Sequence, residues 1–212
     1  MPIRQELGPD GIAVWWFDAP GKPVNTLSQA VMTRLEELVA EAARNPGLAG
    51  IVIASAKDGN FIAGADLDEM RGMLARPDAT AQARQASALG HRVYSALEAL
   101  RIPTIAAIRG TCLGGGTELA LACRWRLAAD DDATRIGLPE TQLGILPAWG
   151  GCTRLTALAG VRVALDMILT GRHLRAKQAL KMGVIDSLMP PEDPVGAAKR
   201  FLKSSPVRRA SG

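Results

Sequence analysis

The sequence predicts an α/β domain with buried, mostly parallel strands. Short strand-like runs alternate with helix-like runs along the whole chain, the pattern of strand–helix–strand crossovers. Two of the strand-like runs, 50–55 and 104–108, are continuously apolar or small rather than alternating, as strands covered on both faces are. The 212 residues are 48% hydrophobic, enough for one sizeable domain with a real core. Aromatics make up only 4% of the chain, so that core must be built mainly from Ala, Leu, Ile and Val.

In chain order, residues 11–18 carry Ile-Ala-Val-Trp-Trp-Phe, a β-branched and aromatic strand. Pro20-Gly21-Lys22-Pro23 is a turn. Ser28 is placed to cap a helix running to about Arg44, with Val31, Leu35, Leu38 and Val39 on one stripe. Asn45-Pro46-Gly47 stops it, and 50–55 is the first buried strand. Residues 61–66 read as a loop of small residues, and 67–74 as a helical turn or two. A long helix over 79–100 ends at Ile102-Pro103, followed by the second buried strand, 104–108. Residues 110–116 read as a glycine loop that opens a helix over 117–123. Strands are expected at 125–128 and 134–136, then a turn at 147–151. Helices are expected at 153–159, 162–170 and 176–182, a strand at 184–189 and a final helix at 194–203. The domain is thus expected over 1–203, with 204–212 as a disordered end.

Net charge is +4, which suits a polyanionic small molecule but is too weak to predict nucleic-acid binding. The C-terminal basic residues Lys199, Arg200, Lys203, Arg208 and Arg209 read as a solvated helix face and tail. Three cysteines, an odd number without metal spacing, point to a reducing cytosol and a cytoplasmic protein. No apolar run is long enough for a membrane span, and Met1-Pro2-Ile3-Arg4 carries no targeting pattern. His91 and His173 lie in no motif, so no metal is expected. A Gly-x-Ser-x-Gly elbow, a dinucleotide loop and a P-loop are all missing from the sequence.

The most informative stretch is Thr111-Cys112-Leu113-Gly114-Gly115-Gly116-Thr117-Glu118. Three glycines before an apolar helix make an ordinary flexible turn, but they also let a ligand reach the helix-terminal N–H groups. Glu118 in the first helical turn is what the helix dipole favours. Beside an anion-binding glycine loop it is also a candidate acid or base. Glu140, after Gly137-Leu138-Pro139, is by itself a common helix-start residue. In Phe61-Ile62-Ala63-Gly64-Ala65-Asp66, Asp66 reads as an N-cap, and the loop as a possible second backbone donor for an oxyanion. Together these features suggest an enzyme that handles a carbonyl compound through an enolate.

These segments, with Lys22-Pro23-Val24-Asn25-Thr26-Leu27 and Gly137-Leu138-Pro139-Glu140-Thr141-Gln142-Leu143-Gly144-Ile145-Leu146-Pro147, resemble the crotonase (enoyl-CoA hydratase/isomerase) family in order and spacing. The run from Leu169 to Leu180 looks most like the N-terminal hydratase part of multifunctional fatty-acid oxidation complex α subunits. The resemblance implies a crotonase-like spiral of ββα units and an enoyl-CoA hydratase of fatty-acid β-oxidation. The backbone N–H groups of Ala65 and Gly115 would form the oxyanion hole, and Glu118 and Glu140 the catalytic pair. Lys22, Val24, Ala63, Asp66, Leu67, Gly114 and Pro139 fall at substrate- and CoA-binding positions. Coenzyme A is then part of the substrate, and no separate cofactor is expected. The implied partners are an acyl-CoA or enoyl-CoA substrate and either further copies of the chain, trimeric in many relatives, or a multifunctional β-oxidation complex.

Two departures from the family pattern stand out. Ala148-Trp149-Gly150-Gly151 occurs where many relatives have Gly-Ser/Ala-Gly-Gly, so Trp149 either narrows or floors the acyl pocket or packs outside it. Family hydratases also continue into helices that cover the pocket, so the C-terminal helical region is expected to be truncated. The alternatives are a Δ3,Δ2-enoyl-CoA isomerase, an inactive acyl-CoA-binding module lacking its lid helices or, more remotely, an RNA-binding protein.

Overall fold

The computed structural model describes residues 1–204. Its main sheet has six strands in the order β1 (Ile3–Leu7), β2 (Ile12–Phe17), β3 (Gly50–Ser55), β5 (Thr104–Ile108), β7 (Trp125–Ala129) and β10 (Ser187–Met189). Only the β1–β2 pair is antiparallel; the other neighbours run parallel. A smaller sheet orders β4 (Asn60–Ile62), β6 (Thr111–Leu113), β8 (Arg135–Gly137) and β9 (His173–Arg175), parallel except for β8–β9. Successive strand pairs β3/β4, β5/β6 and β7/β8 each put one strand in each sheet. The chain therefore advances as a spiral, adding helices as it turns.

Burial on both faces explains the continuous apolar strands. Ile51, Ile53, Ala106 and Ile108 face the larger core with helices α1 (Gln29–Ala43), α3 (Ala79–Glu98) and α4 (Gly115–Ala122). Val52, Ala54, Ile105, Ala107 and Leu127 face the other way, beneath Val195, Ala198, Phe201 and Leu202 of α8 (Pro194–Ser204). Alternate residues of one strand thus belong to two different cores. Among the described residues the remaining helices are α2 (Leu67–Leu74), α5 (Gly151–Ala159), α6 (Val161–Thr170) and α7 (Ala176–Lys181), with one 3₁₀ turn at Glu140–Leu143.

Several sequence expectations need correction. β1 was not anticipated: only Ile3 of its five residues is buried, so an edge strand of mostly polar side chains gives no apolar signal. The expected loop 61–66 begins inside β4, and the expected glycine loop 110–116 contains β6 and the first residues of α4. β9 was missed, and the expected strand 184–189 narrows to β10. Strands of three residues are too short to show a period. The expected tail 204–212 lies outside the described residues except for Ser204, which closes α8. Among the described residues, no helix is long and apolar enough to cross a membrane.

One buried polar side chain ties the two sheets together. Asn25 accepts a hydrogen bond from Ala19 N–H at 2.8 Å through Oδ1, and its amide nitrogen lies 3.1 Å from the carbonyls of both Phe17 and Phe61. Its backbone carbonyl accepts from Ala63 N–H at 2.9 Å. Leu27 continues the strap by donating to the Gly64 carbonyl at 2.8 Å. The segment 63–65 is thereby fixed against its neighbours although it has no regular structure of its own.

Candidate active site

Gly114 stands at the N-terminus of α4 with φ +53°, a conformation that side chains rarely adopt. It offers no side-chain cap, so the first N–H groups of α4 lack intrahelical partners and carry the positive end of the helix dipole. Every residue of this helix is buried, which keeps that end in a low-dielectric setting. Among the described residues, neither Gly115 N–H nor Ala65 N–H donates a hydrogen bond. The Gly115 carbonyl, by contrast, accepts from the buried Tyr94 hydroxyl at 2.9 Å, which holds that peptide in place.

Glu118 is 2% exposed. Its Oε1 accepts two backbone hydrogen bonds, from Trp149 N–H and Gly151 N–H, both at 2.8 Å. A Cβ on residue 151 would lie 2.9 Å from Glu118 Cγ, so glycine there permits the close tether. Burial pushes the Glu118 carboxyl up; the two N–H bonds and the Arg154 charge oppose it. Oε1 is occupied, which leaves Oε2 as the free oxygen.

Glu140 starts the 3₁₀ turn behind Pro139. It is 8% exposed, and neither carboxyl oxygen has a hydrogen-bond partner among the described residues. Burial pushes it up to about 7 against the opposing pull of its own backbone N–H, and the nearby Glu118 charge adds to the rise. Two buried carboxyls thus differ in character. One is held by donors that favour its charged form, and the other is poised to keep a proton near neutral pH.

Both carboxyls border a cleft of about 450 Å³. Of the residues singled out in the sequence, Ala63, Ala65, Leu67, Gly114, Gly115 and Pro139 border it too. Lys22, Val24 and Asp66 do not. The Asp66 side chain caps α2 by accepting from Asp68 and Glu69 N–H, accepts from Thr26 Oγ1 at 2.8 Å and pairs with Lys22 Nζ. The Lys22 ammonium beside it holds its carboxyl down at about 2. Its N-cap reading is therefore the one the structure displays. Trp149 borders the cleft rather than packing outside it.

Sequence reasoning missed three kinds of contributor. Asn25 gave no signal as a lone polar residue. Trp149 N–H and Gly151 N–H act through the backbone, which side-chain identity does not reveal; the Gly150-Gly151 pair was the one hint. Met70 and Met73 of α2 form part of the cleft wall.

Comparisons with known proteins place the chain in a family and a fold. The profile of the family described as Enoyl-CoA hydratase/isomerase matches residues 8–204. The fatty acid oxidation complex subunit alpha of Shewanella loihica is 49% identical over 181 residues, and that of Shewanella sp. W3-18-1 is 47% identical. Each alignment covers 85% of this chain but 25% of the relative, so the chain spans about a quarter of the length of these proteins. The crystal structure of an enoyl-CoA hydratase from Bacillus anthracis superposes with a TM-score of 0.87 at 31% identity, covering 96% of this chain and 76% of the other.

Proposed function

The chain belongs to the enoyl-CoA hydratase/isomerase family, and on that premise we propose that it adds water across the double bond of a 2-enoyl-CoA thioester in fatty-acid β-oxidation. The observation that carries this reading is the contrast between Glu118 and Glu140 in one cleft. Glu118 Oε1 is fixed by two N–H donors, whereas the Glu140 carboxyl has no hydrogen-bond partner among the described residues and burial raises it to about 7.

In this reading Glu118 orients a water molecule and takes its proton as the oxygen adds to C3 of the enoyl group. Negative charge moves to the thioester oxygen, where Ala65 N–H and Gly115 N–H receive it. Losing one such donor costs about 3–4 kcal/mol of transition-state stabilisation in other enzymes. Glu140, protonated, delivers a proton to C2. An acid near neutrality suits this task, because it is both populated and willing to give up its proton at the working pH. Coenzyme A enters as part of the substrate. The contacts of Lys22, Val24, Ala63, Asp66, Leu67, Gly114 and Pro139 with it belong to the same proposal, as does a cytoplasmic setting. Assembly into a homo-oligomer or a fatty-acid oxidation complex rests on the names of the relatives.

Moving a double bond from C3 to C2 as an isomerase needs one carboxyl to shuttle a proton. Two buried carboxyls of unlike character favour hydration. The test follows the ultraviolet band of crotonyl-CoA, which disappears on hydration. The wild-type chain should consume it, and Glu118→Gln and Glu140→Gln should each slow the reaction at least about a hundredfold. Near-wild-type activity in either variant defeats the assignment. Tight binding with no turnover would instead favour an acyl-CoA-binding module.

A further inference from the structure

Adjoining the catalytic cleft, and sharing Ala65 and Ala86 with it, lies a second open cavity of about 660 Å³ among α1, α2 and α3. Its lining combines apolar residues, Leu27, Met32 and Leu89, with charged ones, Asp66, Glu69 and Arg76. Trp149 borders both spaces, together with Met70 and Met73. The indole is held firmly between them. Its Nε1 donates to the Ala86 carbonyl at 3.2 Å, and its ring meets Tyr94 edge-on at 5.7 Å. Two glycines make room for it: a Cβ on Gly90 would lie 2.1 Å from Cδ1, and one on Gly115 would lie 2.6 Å from Cζ3. A core tryptophan would be enclosed by packed side chains; this one stands half-buried between two voids.

Position decides what the indole meets. The backbone N–H of Trp149 holds Glu118, and its ring lies against Gly115. A thioester whose oxygen sits at Ala65 and Gly115 N–H, with C3 at the carboxyls, has this indole beside its next carbons. We propose that Trp149 is a specificity-determining partition: it confines the acyl chain of a 2-enoyl-CoA to the catalytic cleft and closes off the methionine-lined cavity behind. The inference rests on the thioester-hydratase reading. Flexible methionine side chains on the shared wall can repack around an alkyl tail once the indole is gone.

The test measures two series on the 212-residue chain: binding of saturated butanoyl-, octanoyl-, dodecanoyl- and hexadecanoyl-CoA, and turnover of the matching 2-enoyl thioesters. In wild type, affinity and kcat/KM should stop rising once the tail reaches the indole. In Trp149→Ala they should keep rising, by up to about fourfold for each further methylene buried. The dodecenoyl-to-crotonyl ratio of kcat/KM should then increase at least about tenfold, the effect of burying two or more extra methylenes. Adding Met32→Trp to Trp149→Ala refills the second cavity and should return that ratio towards wild type. A merely structural role for Trp149 would lower all chain lengths alike, and parallel profiles in the two proteins overturn the partition. Should Trp149→Ala not fold, Trp149→Leu is read the same way. Were no enoyl thioester turned over by any variant, hydration would fall, while the saturated series would still support the partition by a chain-length break that disappears in the variant, or overturn it by showing no such break.

Discussion

Replacing Glu140 by glutamine should stabilise the fold at alkaline pH relative to acid pH, whatever it does to the proposed chemistry. Burial raises this carboxyl from 4.5 to about 7 in the folded protein. Below pH 4.5 both folded and unfolded forms are protonated, and the group's favourable contribution is fully present. As pH rises from 4.5 the unfolded chain ionises while the folded one holds its proton, so stability is lost until about pH 7 is passed. At about 1.4 kcal/mol per pH unit, that interval amounts to about 3 kcal/mol, an upper figure for a group bordering an open cleft. Glutamine does not titrate, so its stability curve lacks this fall. Among the described residues neither oxygen of Glu140 has a hydrogen-bond partner, so the substitution adds only a pH-independent offset. Glu118 and the surface groups titrate in both proteins and largely cancel. Urea unfolding of wild type and Glu140→Gln at pH values on either side of this interval is the assay. The stability difference should move in favour of glutamine by up to about 3 kcal/mol between acid and alkaline conditions. Parallel curves would mean that Glu140 is not a buried acid with a raised pKa, and the acid role given to it would go as well.

Three further outcomes follow from the same geometry. kcat/KM for crotonyl-CoA should fall about tenfold per pH unit above about 7, where Glu140 gives up its proton; a rate flat to pH 9 would deny it the acid role. Asp66→Asn should remove stability that wild type has above pH 3.8 and loses as pH falls through about 2. The cost at neutral pH should be about 1–2 kcal/mol, discounted because Lys22 is half exposed, and acid unfolding curves of the two proteins should converge at low pH. Asn25→Ala strips a hydrogen-bond acceptor from Ala19 N–H and donors from the carbonyls of Phe17 and Phe61. It should cost about 3 kcal/mol or more in urea unfolding, because buried polar groups are left unpaired; a loss under 1 kcal/mol would refute the cross-link.

Where the sequence was readable, a physical signal was concentrated in few residues. β3 and β5 were placed to the residue because strands buried on both faces read as unbroken apolar runs. α1 was placed because Ser28 caps it, accepting from Val31 N–H at 3.3 Å, and its stripe faces the core. The three-residue strands β4, β6 and β9 escaped because their identity comes from their neighbours in the small sheet. At the site, Glu118, Glu140 and the glycines were legible as chemistry-bearing types in a spaced pattern. The tether from Trp149 and Gly151 was not, since any residue at 149 supplies the same N–H. Nor could the different characters of Glu118 and Glu140 be read from residue identity; both are pushed up by burial, but the N–H groups of Trp149 and Gly151 from a distant segment oppose it only at Glu118.

The two bonds that hold Glu118 span 31 and 33 residues of chain, and the Tyr94–Gly115 bond spans 21. Ala65, the α4 pair Gly115 and Glu118, Glu140 and Gly151 sit on four separate segments, so the site exists only once these have come together. During refolding the cleft can form only after several distant parts of the spiral have met, a slow class of assembly. Return of hydratase turnover should therefore lag behind the return of helical circular dichroism, and the lag would time the closing of the last coil.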